Sequence, residues 1–200
     1  MIRQFNPINL KIPTDSKYDL AIQLARSFEI LHLEIGAGVG LHPIQYSFAN
    51  ENTGLIAVER TREKYESFAQ RMFANQKKYP DHVNNLVAIH ADIVPWLWHF
   101  DHHIQFDKIW LLYPNPEPGN KNQRWINAPF FSHLIDRLKP GGEIEIATNI
   151  LGYAQEAHEL ASKNWNLKSD MLKYSGSGRT HFEKKYLERG ETCFQILLNK

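Results

Sequence analysis

The segment ILHLEIGAGVG, residues 30–40, restricts the fold more than any other feature of this chain. Residues 30–35 have the length and apolar character of a buried strand. The three glycines at 36, 38 and 40 permit a tight turn in which backbone comes close to a ligand. Open α/β sheets bind ligands outside the carboxyl ends of their strands. A first strand that empties into glycines therefore predicts both an architecture and a place to look for chemistry.

The rest of the chain repeats that unit. Residues 55–58, 86–89, 109–113 and 143–147 are apolar runs of strand length. Helical spacing joins them at 63–78, 130–138 and 153–163, with Tyr65, Phe68, Ala69, Met72 and Phe73 as the apolar stripe of the first. The segment Lys139-Pro140-Gly141-Gly142 reads as a helix stop and a turn. Strand–helix alternation predicts a mostly parallel, doubly wound sheet. Residues 165–172 and 192–198 read as two strands with no helix between them, closing the sheet as an antiparallel pair. With 200 residues the chain suits one domain, a core over 30–200 with an N-terminal extension over 1–29.

The net charge of +1 hides an uneven distribution. From residue 163 onward eight Lys/Arg face four Asp/Glu, and residues 1–26 also lean positive, which leaves the middle acidic. Such asymmetry fits a polyanion-binding face or an ordinary solvated surface. Cys193, the single cysteine, has no internal disulfide partner. No leader-like or membrane-length apolar run is present, so a cytoplasmic protein without membrane contact is expected. No G-x-S-x-G elbow, C-x-x-C pair or P-loop supports hydrolase, zinc-ribbon or nucleotide triphosphatase chemistry. In residues 96–103 three histidines and Asp101 accompany two tryptophans and Phe100. Aromatic packing with the histidines toward solvent is expected there, and no metal.

The acids around the glycine loop narrow its ligand. A dinucleotide fingerprint needs a third glycine where Leu41 stands, and Glu34 beside a pyrophosphate would be repulsive. Beside the ammonium group of an amino acid, Glu34 is favourable. Glu59, at the end of the second strand, is placed to accept from both hydroxyls of a ribose. Asp92 follows the third strand, where it can accept from an adenine amino group, cap a helix, or do both. Together these favour S-adenosylmethionine over a dinucleotide.

Several motifs then point to a family. LEIGAGVG (33–40), Glu59, HADI (90–93), LLYPNPEP (111–118), RLKPGGEIEIATN (137–149) and THFEKKYLERGE (180–191) resemble the bacterial tRNA (guanine-N7)-methyltransferases. The resemblance covers nearly all the chain after Leu31. It implies a class I methyltransferase, Rossmann-like fold, S-adenosylmethionine as cofactor, and tRNA rather than DNA as partner of a monomer or homodimer. It also implies cofactor roles for Glu34, Gly36, Gly38, Gly40, Glu59, Asp92 and Asn115, a catalytic role for Asn115, and substrate roles for Asn149, Thr180, Phe182 and Glu183.

The chain departs from the family in places. The family's F-P-D-P-W-x-K is Tyr113-Pro114-Asn115-Pro116-Glu117-Pro118-Gly119, and its A-T-D is Ala147-Thr148-Asn149. The basic run beyond is thinned to Lys121 and Arg124. Alkylation of guanine N7 needs no base, only an aligned lone pair, but charge builds on the purine. Asn115 and Asn149 keep a carbonyl acceptor and lose the charge. Glu117 and Glu183 are candidates to supply it, Arg179 in the Gly/Ser loop to bind phosphate, and Trp125 to pack or to stack on a base. The alternative is a divergent paralogue that binds the cofactor but methylates another acceptor or has lost catalysis.

Overall fold

The computed structural model describes residues 4–14, 16–82, 84–116 and 119–200. Among these residues seven strands alternate with helices in a mixed, mostly parallel α/β architecture that ends in antiparallel strands, as expected. They fall into two compact units, Asn9–Phe106 and Asp107–Lys200, the latter with the N-terminal segment up to Ile8.

The unit Asn9–Phe106 runs α1 (Tyr18–Ser27), β1 (Ile30–Ile35), α2 (Leu41–Ala49), β2 (Thr53–Glu59), α3 (Arg62–Lys78), β3 (Leu86–His90) and α4 (Ile93–His99). Its strands lie in the order β3-β2-β1, all parallel. Parallel strands covered on both faces read as continuous apolar runs, and Leu31, Leu33, Ile35, Leu55, Ile56, Ala57 and Val58 are all buried. The register pairs Ile35 with Val58 and Glu59 with His90. The glycine turn, Glu59 and Asp92 therefore leave the sheet at one end. The N-terminal extension includes an ordered helix, α1, which buries Ala21 and Leu24. Tyr18 stacks on Phe100 and donates to the Trp96 carbonyl, and burial pushes its hydroxyl pKa up to about 12. On α3, Phe68 is fully buried, whereas Phe73 is 70% exposed. At about 100° per residue, five positions carry Phe73 off the stripe it was expected to share.

The unit Asp107–Lys200 holds β4 (Phe106–Leu112), which starts at the unit boundary, then two 3₁₀ turns (Lys121–Gln123, Trp125–Asn127) and α5 (Phe131–Asp136). β5 (Leu138–Thr148), α6 (Leu151–Trp165), β6 (Lys168–Lys173), α7 (His181–Glu188) and β7 (Phe194–Asn199) follow. The strand order is β4-β5-β7-β6, with β7 antiparallel to both β5 and β6.

Two expectations are corrected here. The Lys139-Pro140-Gly141-Gly142 segment lies inside β5, and the φ of +77 at Gly141 does not end the strand. A helix, α7, stands between β6 and β7. Its start is a Thr180-x-x-Glu183 capping box, a signature visible in the sequence beside the Gly/Ser loop.

Among the described residues no helix is long and apolar enough to cross a membrane, and no histidine, cysteine or acidic cluster could hold a metal ion. In the segment 96–103, Trp96, Leu97 and Phe100 are buried, and His102 and His103 face solvent as expected. His99 instead is half-buried and its Nε2 meets the Leu10 carbonyl at 3.2 Å.

Candidate active site

The glycine turn is built by the backbone of β2 and by Glu59. The amides of Gly36 and Ala37 both donate to the Val58 carbonyl, at 2.8 and 3.1 Å. The Gly38 amide donates to Glu59 Oε2 at 2.8 Å, and the Thr61 amide to Oε1 at 2.7 Å. Glu59 thus shapes the turn before any ligand arrives, and a carboxylate still has lone pairs left for two hydroxyl donors. Glu34 is buried in β1, and its Oε2 meets His42 Nδ1 at 2.7 Å, tying the strand to the first turn of α2.

The glycines divide into two kinds. A Cβ on Gly36 or Gly38 would meet nothing within 4 Å, so open space lies over this stretch of backbone. A Cβ on Gly40 would lie 2.0 Å from Phe68 Cδ2. Gly40 is thus required by the packing of α3 as well as by its φ of +80, while Gly36 and Gly38 leave room for a ligand. That cradle, with a carboxylate behind it and another beside it, suits a group bearing hydroxyls and an ammonium. Asp92 caps α4, its Oδ1 accepting from the Val94 amide at 2.9 Å. Its other oxygen is only 4.0 Å from exposed Arg60 Nη1, a distance at which little is gained.

In the unit Asp107–Lys200 the YPNP segment is clamped at both ends. Tyr113 sits at φ +54, a left-handed conformation that costs a non-glycine residue about 1–3 kcal/mol. Its amide donates to the Ala147 carbonyl at 2.9 Å and its hydroxyl to Glu183 Oε1 at 2.9 Å. Burial first, then the Glu183 and Cys193 contacts, push that hydroxyl far above the usual phenol range. At the other end the Pro116 carbonyl accepts from Arg124 Nε at 2.6 Å. Arg124 also pairs with Glu156 and lies over the Tyr153 ring. Exposed Asn115 stands between the clamps. Glu117 lies outside the described residues.

Thr180 and Glu183 serve α7 and the core. Thr180 Oγ1 accepts from the Glu183 amide at 3.0 Å. Glu183 is fully buried, and its Oε1 also accepts from Arg179 Nη2 at 2.8 Å. Its Oε2 accepts from the Arg179 amide at 2.7 Å and from Nε at 3.0 Å. Arg179 also reaches Glu145 Oε1 at 2.5 Å. Its guanidinium is therefore engaged with two carboxylates, not held out to a phosphate. Phe182 is 46% exposed at the start of α7. Asn149, after β5, donates from Nδ2 to Glu191 Oε2 at 2.7 Å.

Sequence reasoning missed Glu145 and Lys108. Glu145 is 1% exposed in β5 and accepts from Lys108 Nζ at 2.8 Å and Trp110 Nε1 at 3.1 Å. Burial raises its carboxyl pKa, but the attractions and hydrogen bonds of Lys108 and Arg179 outweigh that and hold it at about 2. The alternation in Glu143-Ile144-Glu145-Ile146 suggests a solvated polar face; only the basic partners brought in from β4 and from the loop before α7 allow that face to be buried.

The chain matches the family model described as putative methyltransferase over residues 29–196. It is 30% identical to a tRNA (guanine-N(7)-)-methyltransferase of Nitrosospira multiformis, over 94% of this chain and 82% of that protein. It is 26% identical to the protein of that name from Neisseria gonorrhoeae, over 80% of this chain and 65% of that one. Among solved structures, an antibiotic-related methyltransferase superposes with a TM-score of 0.63 at 16% identity, over 95% of this chain and 99% of that one. A 30S ribosomal A1408 methyltransferase from an uncultured bacterium gives 0.61 at 15% identity, over 92% and 93%. At these identities the structural matches speak for the fold alone.

Proposed function

This chain belongs to the putative methyltransferase family and, within it, is a divergent tRNA (guanine-N7)-methyltransferase relative; from that premise we propose that it methylates N7 of a guanine in tRNA with S-adenosylmethionine as donor. The observation that carries the donor half is the Glu59 carboxylate, which holds the Gly38 amide while open space lies over Gly36 and Gly38. Glu59 then takes the ribose hydroxyls, Glu34 favours the ammonium end, and Asp92 accepts from the adenine amino group without giving up its cap. When bound, the sulfonium supplies an electrophilic methyl group.

The acceptor half needs no proton removed, because guanine N7 presents a lone pair. Its residues have to orient the base and tolerate the positive charge that grows on it. Asn115 is offered by a turn fixed through Tyr113 and Arg124, so its position is defined before substrate arrives. Exposed Phe182 suits stacking on an unpaired base. Thr180 and Glu183 act from behind, Thr180 through the helix cap and Glu183 through Tyr113. The basic stretch from residue 163 onward gives the anionic tRNA a favourable field.

The test is methyl transfer to unmodified tRNA, read by chain cleavage at N7-methylguanine, beside a titration of the protein with S-adenosylmethionine. Cleavage that depends on both protein and donor is expected. Cofactor binding without any tRNA methylation would refute the acceptor half; absence of cofactor binding would refute the whole reading.

A further inference from the structure

We propose that Glu191 is a positioning residue for the acceptor end of β5, fixing Asn149 and returning to that place the carboxylate that an aspartate at 149 would carry. The inference rests on the tRNA reading above. Its basis is the 2.7 Å hydrogen bond from Asn149 Nδ2 to Glu191 Oε2. A carboxylate only accepts, so this contact settles which end of the amide is which. The nitrogen is committed to Glu191 and the carbonyl oxygen is the group left to accept.

Both partners are held by the fold. Glu191 follows α7 in a Schellman motif: the Gly190 amide donates to the Leu187 carbonyl at 2.9 Å, and the Glu191 amide to the Tyr186 carbonyl at 3.0 Å. That motif needs the left-handed residue Gly190, at φ +73. Asn149 directly follows Thr148, which pairs with Phe194 in the β5–β7 ladder and whose Oγ1 accepts from the Ile150 amide at 3.1 Å. The ladder brings the end of β5 and the approach to β7 side by side. Among the described residues the basic side chain paired with Glu191 is Arg189, 3.9 Å away and itself 57% exposed, a weak competitor.

The chemistry follows from guanine. Its N1–H and 2-amino group are donors, and Asn149 Oδ1 is an acceptor strengthened by the charge on the far side of the amide. As N7 is alkylated those donors become more acidic, so a negative charge one amide length away stabilises the developing cation.

The test is an exchange of the two groups in the full chain. Wild type, Glu191→Gln, Asn149→Asp and the double variant Asn149→Asp/Glu191→Gln are compared for unfolding temperature, S-adenosylmethionine affinity, and kcat/KM with unmodified tRNA. Loss of one charge-assisted hydrogen bond predicts about a tenfold fall in kcat/KM for Glu191→Gln, with cofactor affinity unchanged. Asn149→Asp sets two carboxylates in contact and falls at least as far. The double variant inverts the pair and recovers to within about threefold of wild type. Wild-type kcat/KM in Glu191→Gln, or a double variant no better than the worse single one, overturns the inference. So does a recovery seen in unfolding temperature alone, which marks a structural pair only. A wild-type protein that transfers nothing to tRNA brings down the tRNA reading and this inference with it; an active wild type without the exchange pattern brings down this inference alone.

Discussion

In Asn9–Phe106 the buried carboxylates Glu34 and Glu59 have no Lys or Arg among the described residues within ion-pairing distance; in Asp107–Lys200 the buried carboxylates Glu145 and Glu183 are ringed by Lys108 and Arg179. Glu34 has His42, and Glu59 has two backbone amides. Burying a charge is costly unless it is paired or well hydrogen-bonded. The second pair meets that cost within the fold and has little left to offer a ligand. The first pair meets it only in part, which fits the proposal that a cation and hydroxyl donors of the cofactor complete it. The same side chain is thus scaffold in one unit and, in the function proposed, binding group in the other, and the contrast lies in its partners.

The largest expected effect breaks the scaffold side. Arg179→Ala leaves Glu145 and Glu183 without their shared partner, which for a buried pair costs about 3–5 kcal/mol. Urea denaturation should register a loss of that order; a change below 1 kcal/mol would mean that Glu145 and Glu183 are not a buried ionic scaffold. The acid side of the stability curve should follow, with a somewhat smaller effect. The Glu145 carboxyl is held at about 2 in the fold, below its ordinary 4.5. A depressed carboxylate stabilises the fold above its unfolded value, and that contribution is lost as pH falls through the folded one. Between pH 4.5 and 2 the wild type should lose on the order of 2–3 kcal/mol through this group. Glu145→Gln, compared with wild type across that window, should flatten the slope.

How much of this was legible follows the same division. The loop-bearing unit is local: β1 falls on residues 30–35 as read, and Gly36, Gly38, Glu59 and Asp92 take their places through adjacent parallel strands. Periodicity and turn chemistry carry such information along the chain. The other unit depends on partners far apart in sequence. Arg179 meets Glu145 across 34 residues and Asn149 meets Glu191 across 42. Nothing in the pattern of Glu143–Ile146 says that its polar face will be buried, because the cations that allow it come from other elements. The Thr180-x-x-Glu183 box was in plain view but sat next to glycines and serines, which argued for a loop. The resemblance assigns Thr180 and Glu183 to substrate; what it does not convey is that Thr180 also caps α7 and that Glu183 also holds Tyr113 and Arg179.

The binding side is sharpened by smaller changes. Glu59→Gln removes the charge but not the size, and leaves an acceptor for only one of the two amides. A hydrogen bond to a charged group contributes about 1.5–3 kcal/mol, so S-adenosylmethionine affinity, read by calorimetry, should fall about ten- to a hundredfold. An unchanged affinity would make Glu59 scaffold too and erase the contrast between the units.

Asp92 is the finest discriminator, because it carries a structural and a proposed binding role on different oxygens. Asn caps a helix about as well as Asp, whereas Ala costs about 1 kcal/mol there. Asp92→Ala should therefore lower both stability and cofactor affinity. In Asp92→Asn the side-chain oxygen can stay with the Val94 amide, as Oδ1 does now. The other position then becomes an NH₂ group, which faces the adenine amino group donor to donor. Asp92→Asn should keep wild-type stability and weaken the cofactor about three- to tenfold, a loss of up to about 1.4 kcal/mol. If both variants bind as wild type while Ala alone destabilises, the residue is a cap and nothing more, and the adenine end of the site has to be sought elsewhere.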